Sequence, residues 1–596
     1  MRKGYYMKHV NRTEGWVRAM ILFCLLAFLP FTSAAQQITV TVESEGELGN
    51  QLPDSIRYSM TDLKICGPLN SSDIKVIQLI TSRLKAKKSD DQVLTSLDLS
   101  EAKIAEGKGL MRSRADVLPA AMFLNCKTLE RVILPNDLTE ISRSCFSGCI
   151  SLKEVVIPEG TETIGDYAFN NCVSLETLTL PEHLKTIENH AFDGCLSLSE
   201  LEMHESLNLI DAYAFNNCKA LEKVDIHETA ITRISNNTFT GCQALTDITL
   251  PEGVTNIGSE AFFNCTSLET IQMPEKISEI ANSAFENCSA LRSIEMKTAN
   301  RIGSDAFKGC SSLNTVDIES VNRIGTSAFQ DCSGLTSVTL DGNLQAIGSE
   351  TFSGCISLVS ISIPNSVKTI GTRAFYECRS LAAIDLPESL NRIYDHAFEQ
   401  CSSLKTLYIP SMTKQLGSDT FENCVSLDSV YIHGFVEKLE DDLFRYCRSL
   451  RVIILPVSVR SIGDNTFQEC SSLNDIILPI AVRSIGDNAF DKCLSLTDII
   501  IPSACTSIGN AAFRECSGLA RLELPAAMKK IGSNAFAKCA SLLDINMGSP
   551  IPPTITSSTF KGVVTSACRL TVPRGAKEKY QKDKSWKKFS LISEQN

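Results

Sequence analysis

Cysteine is the residue type in this chain best equipped for chemistry. Of twenty-four cysteines, nineteen fall at one recurring position. From Cys126 to Cys539 the step is 23 residues, except for one of 24 (Cys218 to Cys242) and two of 22 (Cys288 to Cys310 to Cys332). Thiols so placed could crosslink, hold metal or attack a substrate. A disulfide needs Cβ atoms about 3.5–4.5 Å apart on converging vectors, whereas equivalent side chains on stacked turns of chain point the same way about 5 Å apart. Zinc sites favour close cysteine pairs, and no C-x-x-C occurs. Buried in apolar surroundings, a thiol is also a poor nucleophile, because the thiolate is disfavoured there. The spacing therefore predicts an internal ladder of small apolar thiols, without crosslinks.

Imidazoles and carboxylates offer the next possibility. Neither His204-Glu205 nor His227-Glu228 has the second histidine four residues on that a zinc-hydrolase helix requires. Glu202, His204, Asp225 and His227 lie on adjacent repeats and have the right chemistry for zinc, but solvated surface side chains are the plainer reading. No G-x-S-x-G elbow, P-loop or G-x-G-x-x-G is present. The chain is accordingly read as non-enzymatic, with no cofactor and no metal.

The elements that position these residues come from a repeat. Ala168 to His190, AFNNCVSLETLTLPEHLKTIENH, is a unit that Ala191-Phe192 begins again. Leu175, Leu178 and Leu180 give L-x-x-L-x-L, whose last two members alternate as a strand with one buried face requires. Pro181 ends that strand, having no N–H to donate. Ile187 recrosses the interior, and Ala191, Phe192 and Cys195 suit one turn of helix or 3₁₀ helix. Ten coils carry Ile-Gly before that turn, as at Ile164-Gly165 and Ile370-Gly371. The glycine permits a tight or left-handed backbone, and the Ser, Thr or Asp that often follows can cap the turn. A period near 23 residues lies within the leucine-rich repeat range. The expected fold is a leucine-rich repeat solenoid, with a parallel β-sheet on the concave side, short helical or 3₁₀ turns on the convex side, and a cap at each end.

Four segments follow. Residues 1–35 read as a signal peptide: Arg2, Lys3, Lys8, Arg12 and Arg18 precede the apolar run Ala19 to Phe31 and then Thr32-Ser33-Ala34-Ala35. That run is too short to span a bilayer comfortably, and no later stretch approaches about 20 apolar residues. The protein is therefore expected to be exported, at the cell surface, in the periplasm or outside the cell, with no transmembrane segment after signal removal. Residues 36–92 form the N-terminal cap, with strands at Ile38 to Val42 and Met60 to Cys66 and a helix carrying Ile74, Ile77, Ile80 and Leu84 on one face. Residues 93–560 are the array of about twenty coils, interrupted early by the basic run Lys108 to Arg114. Residues 561–596 are the C-terminal cap, anchored by Tyr580, Trp586 and Phe589.

The unit A-F-x-x-C-x-S-L-x-x-I-x-L-P-x-x-V-x-x-I-G-x-x, nearly unaltered at Ala374 to Ile384 and at Ala489 to Gly509, resembles the BspA-like, or Treponema pallidum type, leucine-rich repeats. Thr61-Asp62-Leu63-Lys64 with Gly67-Pro68-Leu69, and Val572-Pro573 ahead of a lysine-rich segment with Trp586, also look like exported bacterial members of that group. The resemblance implies surface attachment, including to host extracellular matrix proteins, and contact with other microbes.

Partner choice must lie in the variable positions. A net charge of −12 gives no basic footprint for nucleic acid. The residue seven beyond each ladder cysteine should point from the strand to solvent. In the middle coils these positions are polar and acidic, with Glu202, Asp225, Glu295 and Asp317, reinforced two residues earlier by Glu200 and Asp247 and interrupted by Lys223. Five successive coils then present Tyr408, Tyr431, Ile454, Ile477 and Ile500, with Val452 beside them. Such a strip marks a contact surface for a protein partner or for self-association, unless strand propensity alone explains it. The alternative is a carbohydrate-binding or envelope-scaffolding module in which Tyr408 and Tyr431 stack on sugar.

Overall fold

The computed structural model describes residues 37–57, 60–82, 93–106, 114–340 and 343–595. The expected signal peptide and Leu84 lie outside these residues, as does all of the early basic run except Arg114. Within them the chain winds into a solenoid of parallel strands.

Two β ladders run along the stack. Short strands such as Glu200–Glu202, Lys223–Asp225 and Asp247–Thr249 form the sheet face, each with its middle residue buried and its outer two exposed. This is the alternation that L-x-x-L-x-L requires. A second ladder, which the spacing did not reveal, is made by two-residue strands at the recrossing isoleucine: Thr163–Ile164 pairs Thr186–Ile187, which pairs Leu209–Ile210. Departures from the 23-residue step fall in the loop between the two ladders. The 24-residue coil adds its extra residue between Ile226 and Ile231, and the second ladder breaks there, one sheet ending at Leu209–Ile210 and the next starting at Arg233–Ile234.

The return segment stays a turn and does not extend into a helix in the coils described. Cys149 N–H donates to the Phe146 carbonyl at 3.0 Å, the i to i+3 bond of a 3₁₀ turn. Left-handed residues stand on either side, Ser144 with φ 54 and Gly148 with φ 74, and the next turn repeats them as Tyr167 and Asn171. A helix cannot run through left-handed positions. The amides inside the turn are satisfied from the next coil, Phe146 N–H donating to the Ala168 carbonyl and Gly148 N–H to Asn170, both at 2.7 Å.

The glycine after isoleucine serves close approach and is not left-handed. A Cβ on Gly371 would come within 2.6 Å of the Ser349 backbone nitrogen on the preceding coil. The polar residue after it likewise acts between coils and not within its own turn. Asp464, Asp487 and Asn510 each accept, through a side-chain oxygen, the backbone N–H of the next residue in the series: Asp487 on Asp464 at 2.7 Å, Asn510 on Asp487 at 2.6 Å and Ser533 on Asn510 at 2.9 Å.

Inside, phenylalanine rings stack without a gap from Phe123 to Phe560, with centroids 4.8 to 5.7 Å apart. The described cysteines are all unbridged and buried. From Cys149 onward each ladder thiol donates to the phenylalanine carbonyl of the coil before it, as Cys172 does to Phe146 at 3.1 Å and Cys288 to Phe262 at 3.1 Å.

The ends finish these ladders. Gln37–Thr41 and Asp62–Leu69 extend the face sheet, and the helix Ser71–Thr81 is closed by an Asn70–Asp73 capping box. Thr81 at its end offers the carbonyl that takes the first thiol, Cys126, at 2.9 Å. At the far end Phe560 meets Trp586 and Phe589 edge-on. Trp586 donates its indole N–H to the Pro553 carbonyl at 2.9 Å.

Burial pushes ladder thiols such as Cys242, Cys265 and Cys288 up in pKa, Cys265 to about 12, so these are both shielded and protonated at neutral pH. A thiol-reactive dye added to the native protein should leave the ladder cysteines unmodified for hours, and denaturant should expose them all. Bridged pairs in a non-reducing peptide map would contradict the ladder.

Candidate binding surface

The strip predicted from the variable positions is continuous in space. Tyr408, Tyr431 and Ile454 sit directly opposite one another on three paired strands, Thr406–Ile409, Ser429–Ile432 and Val452–Ile454. The two tyrosine rings stack at 4.9 Å and 9°. Tyr408 and Val452 are exposed and Tyr431 is half-buried between its neighbours; Ile477 and Ile500 project furthest, Ile477 with 81% of its surface open.

The strip crosses a gap in the ladder. Asp475 to Leu478 forms no strand with the coil on either side, and the face sheet resumes at Asp498–Ile500. A groove of about 410 Å³ lies there, lined by Ile477, Leu478, Ile480, Ile500 and Pro502 with Asp475 and Asp498 at its rim.

A second row of exposed apolar side chains borders the same coils: Met412, Phe435, Val457 and Ile480, with Val457 at 83% and Ile480 at 73% exposure. They occupy the loop after the face strand. Reading only the seventh position after each cysteine passes over them. The signal was available ten or eleven residues after the cysteine, where other coils place Glu182-His183, Glu252-Gly253 or Asn365-Ser366.

The acidic candidates also face outward but divide into two groups. Glu200, Glu202, Asp225 and Asp247 line a polar cleft of about 550 Å³ together with Lys223, His204 and His227. Glu295 and Asp317, opposite each other in register, lie further along the sheet, and Glu295 is paired with Lys297 at 3.3 Å. Within the cleft Lys223 lies 3.7 Å from Glu200. His227 Nδ1 meets Asp225 at 2.5 Å, a hydrogen bond that raises the imidazole pKa. Glu202, His204, Asp225 and His227 do not converge into a ligand set, and among the described residues no three His, Cys, Asp or Glu side chains are grouped to hold a metal ion. The candidate pair Asp225 and His227 is instead satisfied internally.

Residues 116–231, 210–336, 322–451 and 437–565 match the family model described as a BspA type leucine rich repeat region (6 copies). The chain is a BspA-type leucine-rich repeat protein. Among solved structures it is similar to a leucine-rich repeat protein from Bacteroides ovatus, at 24% identity over 74% of this chain and 91% of that one, with a TM-score of 0.34. It is also similar to a leucine rich cell surface protein from Faecalibacterium prausnitzii (26% identity, 53% and 83% covered, TM-score 0.33) and to the T. pallidum leucine rich repeat protein (25%, 39% and 78%, 0.21). Among curated proteins no sequence matches it. No helix of the described residues is long and apolar enough to cross a membrane.

On the turn side of these BspA-type coils, two adjoining rows concentrate charge between His396 and Arg445. His396 Nδ1 meets Glu399 at 2.8 Å, and Arg445 lies 3.1 Å from Asp442 and 3.7 Å from Glu422. Partial burial, a hydrogen bond with Asp419 and the charge of Glu399 together push Glu422 up to about 7, with Arg445 opposing them. A carboxyl raised in the folded state and ordinary in the unfolded one weakens the fold as pH climbs from about 4.5 towards 7. Glu422→Gln should therefore raise the melting temperature by a few degrees at pH 8 and leave it unchanged near pH 4, as read by thermal unfolding at both values.

Proposed function

We propose that this protein is an exported, non-enzymatic binding protein that holds another protein against the apolar surface spanning Tyr408 to Ile500. The observation that carries this reading is the coincidence of two exposed apolar rows on the same coils. Strand propensity accounts for isoleucine and tyrosine on a sheet, but it gives no reason for Met412, Phe435, Val457 and Ile480 to project from the adjoining loops. Isolated exposed hydrophobic residues are ordinary on protein surfaces; a contiguous patch several coils long is characteristic of a contact site.

Protein fits better than carbohydrate as the ligand. A sugar platform needs an open ring face, and Tyr431 has one face against Tyr408 and the other towards Ile454. With both faces of Tyr431 flanked, the stacked pair suits packing against side chains better than a sugar platform. The acidic cleft around Glu202 and Asp225 stands several coils away and would act at longer range, orienting a partner and speeding encounter.

Export is supported by the basic and apolar pattern of residues 1–35 and by a cysteine array whose geometry resists crosslinking in an oxidising compartment. A surface location would bring the patch within reach of host extracellular matrix proteins or of proteins on another microbe.

The triple variant Tyr408→Ser, Ile454→Asp, Ile477→Asp tests the reading. Exposed residues can change without unfolding the stack, so far-UV circular dichroism should be unaltered. Capture of partners from host matrix and neighbouring-cell extracts should fall at least tenfold, since central apolar contacts each contribute about 1–2 kcal/mol or more at protein interfaces. Capture that persists undiminished would remove the patch from consideration.

A further inference from the structure

We infer that the element occupying this patch is an amphipathic α-helix with basic residues along its flanks, lying parallel to the stack of coils. The inference rests on the proposal that the patch binds protein, and adds the partner's conformation and charge.

Pitch is the first argument. Along the stack, side chains of the strip recur once per coil, and the ring centroids of Tyr408 and Tyr431 are 4.9 Å apart. A helix laid in that direction presents side chains once per turn, about every 5.4 Å. An extended strand presents same-side residues about every 6.6–6.8 Å. Over the four steps from Tyr408 to Ile500 the helix drifts by roughly 2 Å and the strand by roughly 7 Å, more than a whole coil out of register. The run of about 20 Å corresponds to about 13 helical residues, or nearly four turns.

Shape is the second. The apolar stripe of an amphipathic helix has width, built from residues at i, i+3, i+4 and i+7. The patch has width too: Tyr408, Tyr431, Ile454, Ile477 and Ile500 form one row, and Met412, Phe435, Val457 and Ile480 form another beside it.

Charge is the third. Asp385 precedes the strip and Glu523 follows it at the same strand position, while Asp475 and Asp498 stand at the rim of the groove. All four are exposed, and none has an ion pair among the described residues, whereas Asp428 in the same region is held by Arg451. Lys405 and Arg521 each place a positive charge on this face, and Arg483 places one on the loop side. Unpaired carboxylates at both ends and along the groove favour a partner bearing lysine or arginine outside its apolar stripe.

Three labelled peptides of about 14 residues distinguish the possibilities by fluorescence anisotropy. One is an idealised leucine/lysine amphipathic helix, one its leucine/glutamate counterpart, and one the leucine/lysine sequence interrupted by two central prolines. The leucine/lysine helix should bind the full chain at least tenfold more tightly than either of the others. Its affinity should fall at least tenfold with Ile477→Asp and about threefold to tenfold with Asp475→Asn/Asp498→Asn, circular dichroism confirming that both variants fold. Equal binding of the proline-interrupted peptide would overturn the helix, and equal binding of the glutamate peptide would overturn the charge selection. Binding of the lysine helix that ignores Ile477→Asp would show attraction to the acidic chain at large and overturn the inference at this site. The two proposals fail separately: loss of extract capture in the triple variant combined with a peptide result against the helix retains the patch and discards its proposed occupant.

Discussion

Everything in this molecule depends on the carbonyl of one phenylalanine per coil. Phe146 illustrates the case: its oxygen accepts Cys149 N–H from its own turn at 3.0 Å and the Cys172 thiol from the next coil at 3.1 Å. The first bond closes the turn, and the second ties that turn to its neighbour. A buried carbonyl with two lone pairs is costly to leave underused, and a thiol is small enough to reach it without interrupting the ring stack. Serine would supply a stronger donor but loses favourable burial, and alanine would supply none. Cysteine meets both demands, which gives a physical reason for its recurrence in an array with no crosslinks.

The same constraint governs what the outside can look like. Because every coil is bound to place its phenylalanine, cysteine and leucine in register with the next, each exposed position becomes a row with a spacing near 4.8 Å. Chemistry on this surface is therefore written in columns. A single unusual residue has little effect, whereas a change sustained over several coils, such as tyrosine and isoleucine from Tyr408 to Ile500, produces a continuous surface. The left-handed position before Ala-Phe shows the same behaviour, with Tyr167, His190 and Tyr213 stacking at 4.6 and 4.5 Å. The capping ends are exempt from the repeat and finish its ladders with unrelated groups, the Thr81 carbonyl at one end and the edges of Trp586 and Phe589 at the other.

Features that repeat in sequence were legible in it. The fold class, the inward thiols and the outward seventh position follow from a period near 23 and from alternation within L-x-x-L-x-L, because both depend on which side of the chain is apolar. Bonds between coils were not legible. The roles of Gly371 and Asp464 are set by backbone on a neighbouring coil, 22 residues away at Ser349 and 23 away at Asp487, and a local reading assigned them to turn conformation and turn capping. The two-residue second ladder carries too short an alternation to register as strand. The row from Met412 to Ile480 escaped for a different reason: it shifts by one position between coils, so its members do not share a fixed offset from cysteine.

The placement of the groove follows from how the stack distributes its bonds. At Asp475 to Leu478 the face ladder is unpaired on both sides, yet the rest of that coil remains joined to its neighbours. Ser461–Ile462 pairs Ser484–Ile485, which pairs Ser507–Ile508, and the Cys493 thiol reaches the Phe467 carbonyl at 3.2 Å. Phe467 and Phe490 stay stacked at 5.1 Å, though tilted by 21°, the largest tilt along that ring stack. Four ladders hold each coil: face, second sheet, turn amides and thiols. One of them can lapse locally while the other three preserve the register. The sheet face is the ladder most free to lapse, since its outward side chains support no other layer. An opening between Ile477 and Ile500 is thus compatible with an uninterrupted interior, and a partner seated there would alter the face without disturbing the stack that carries it.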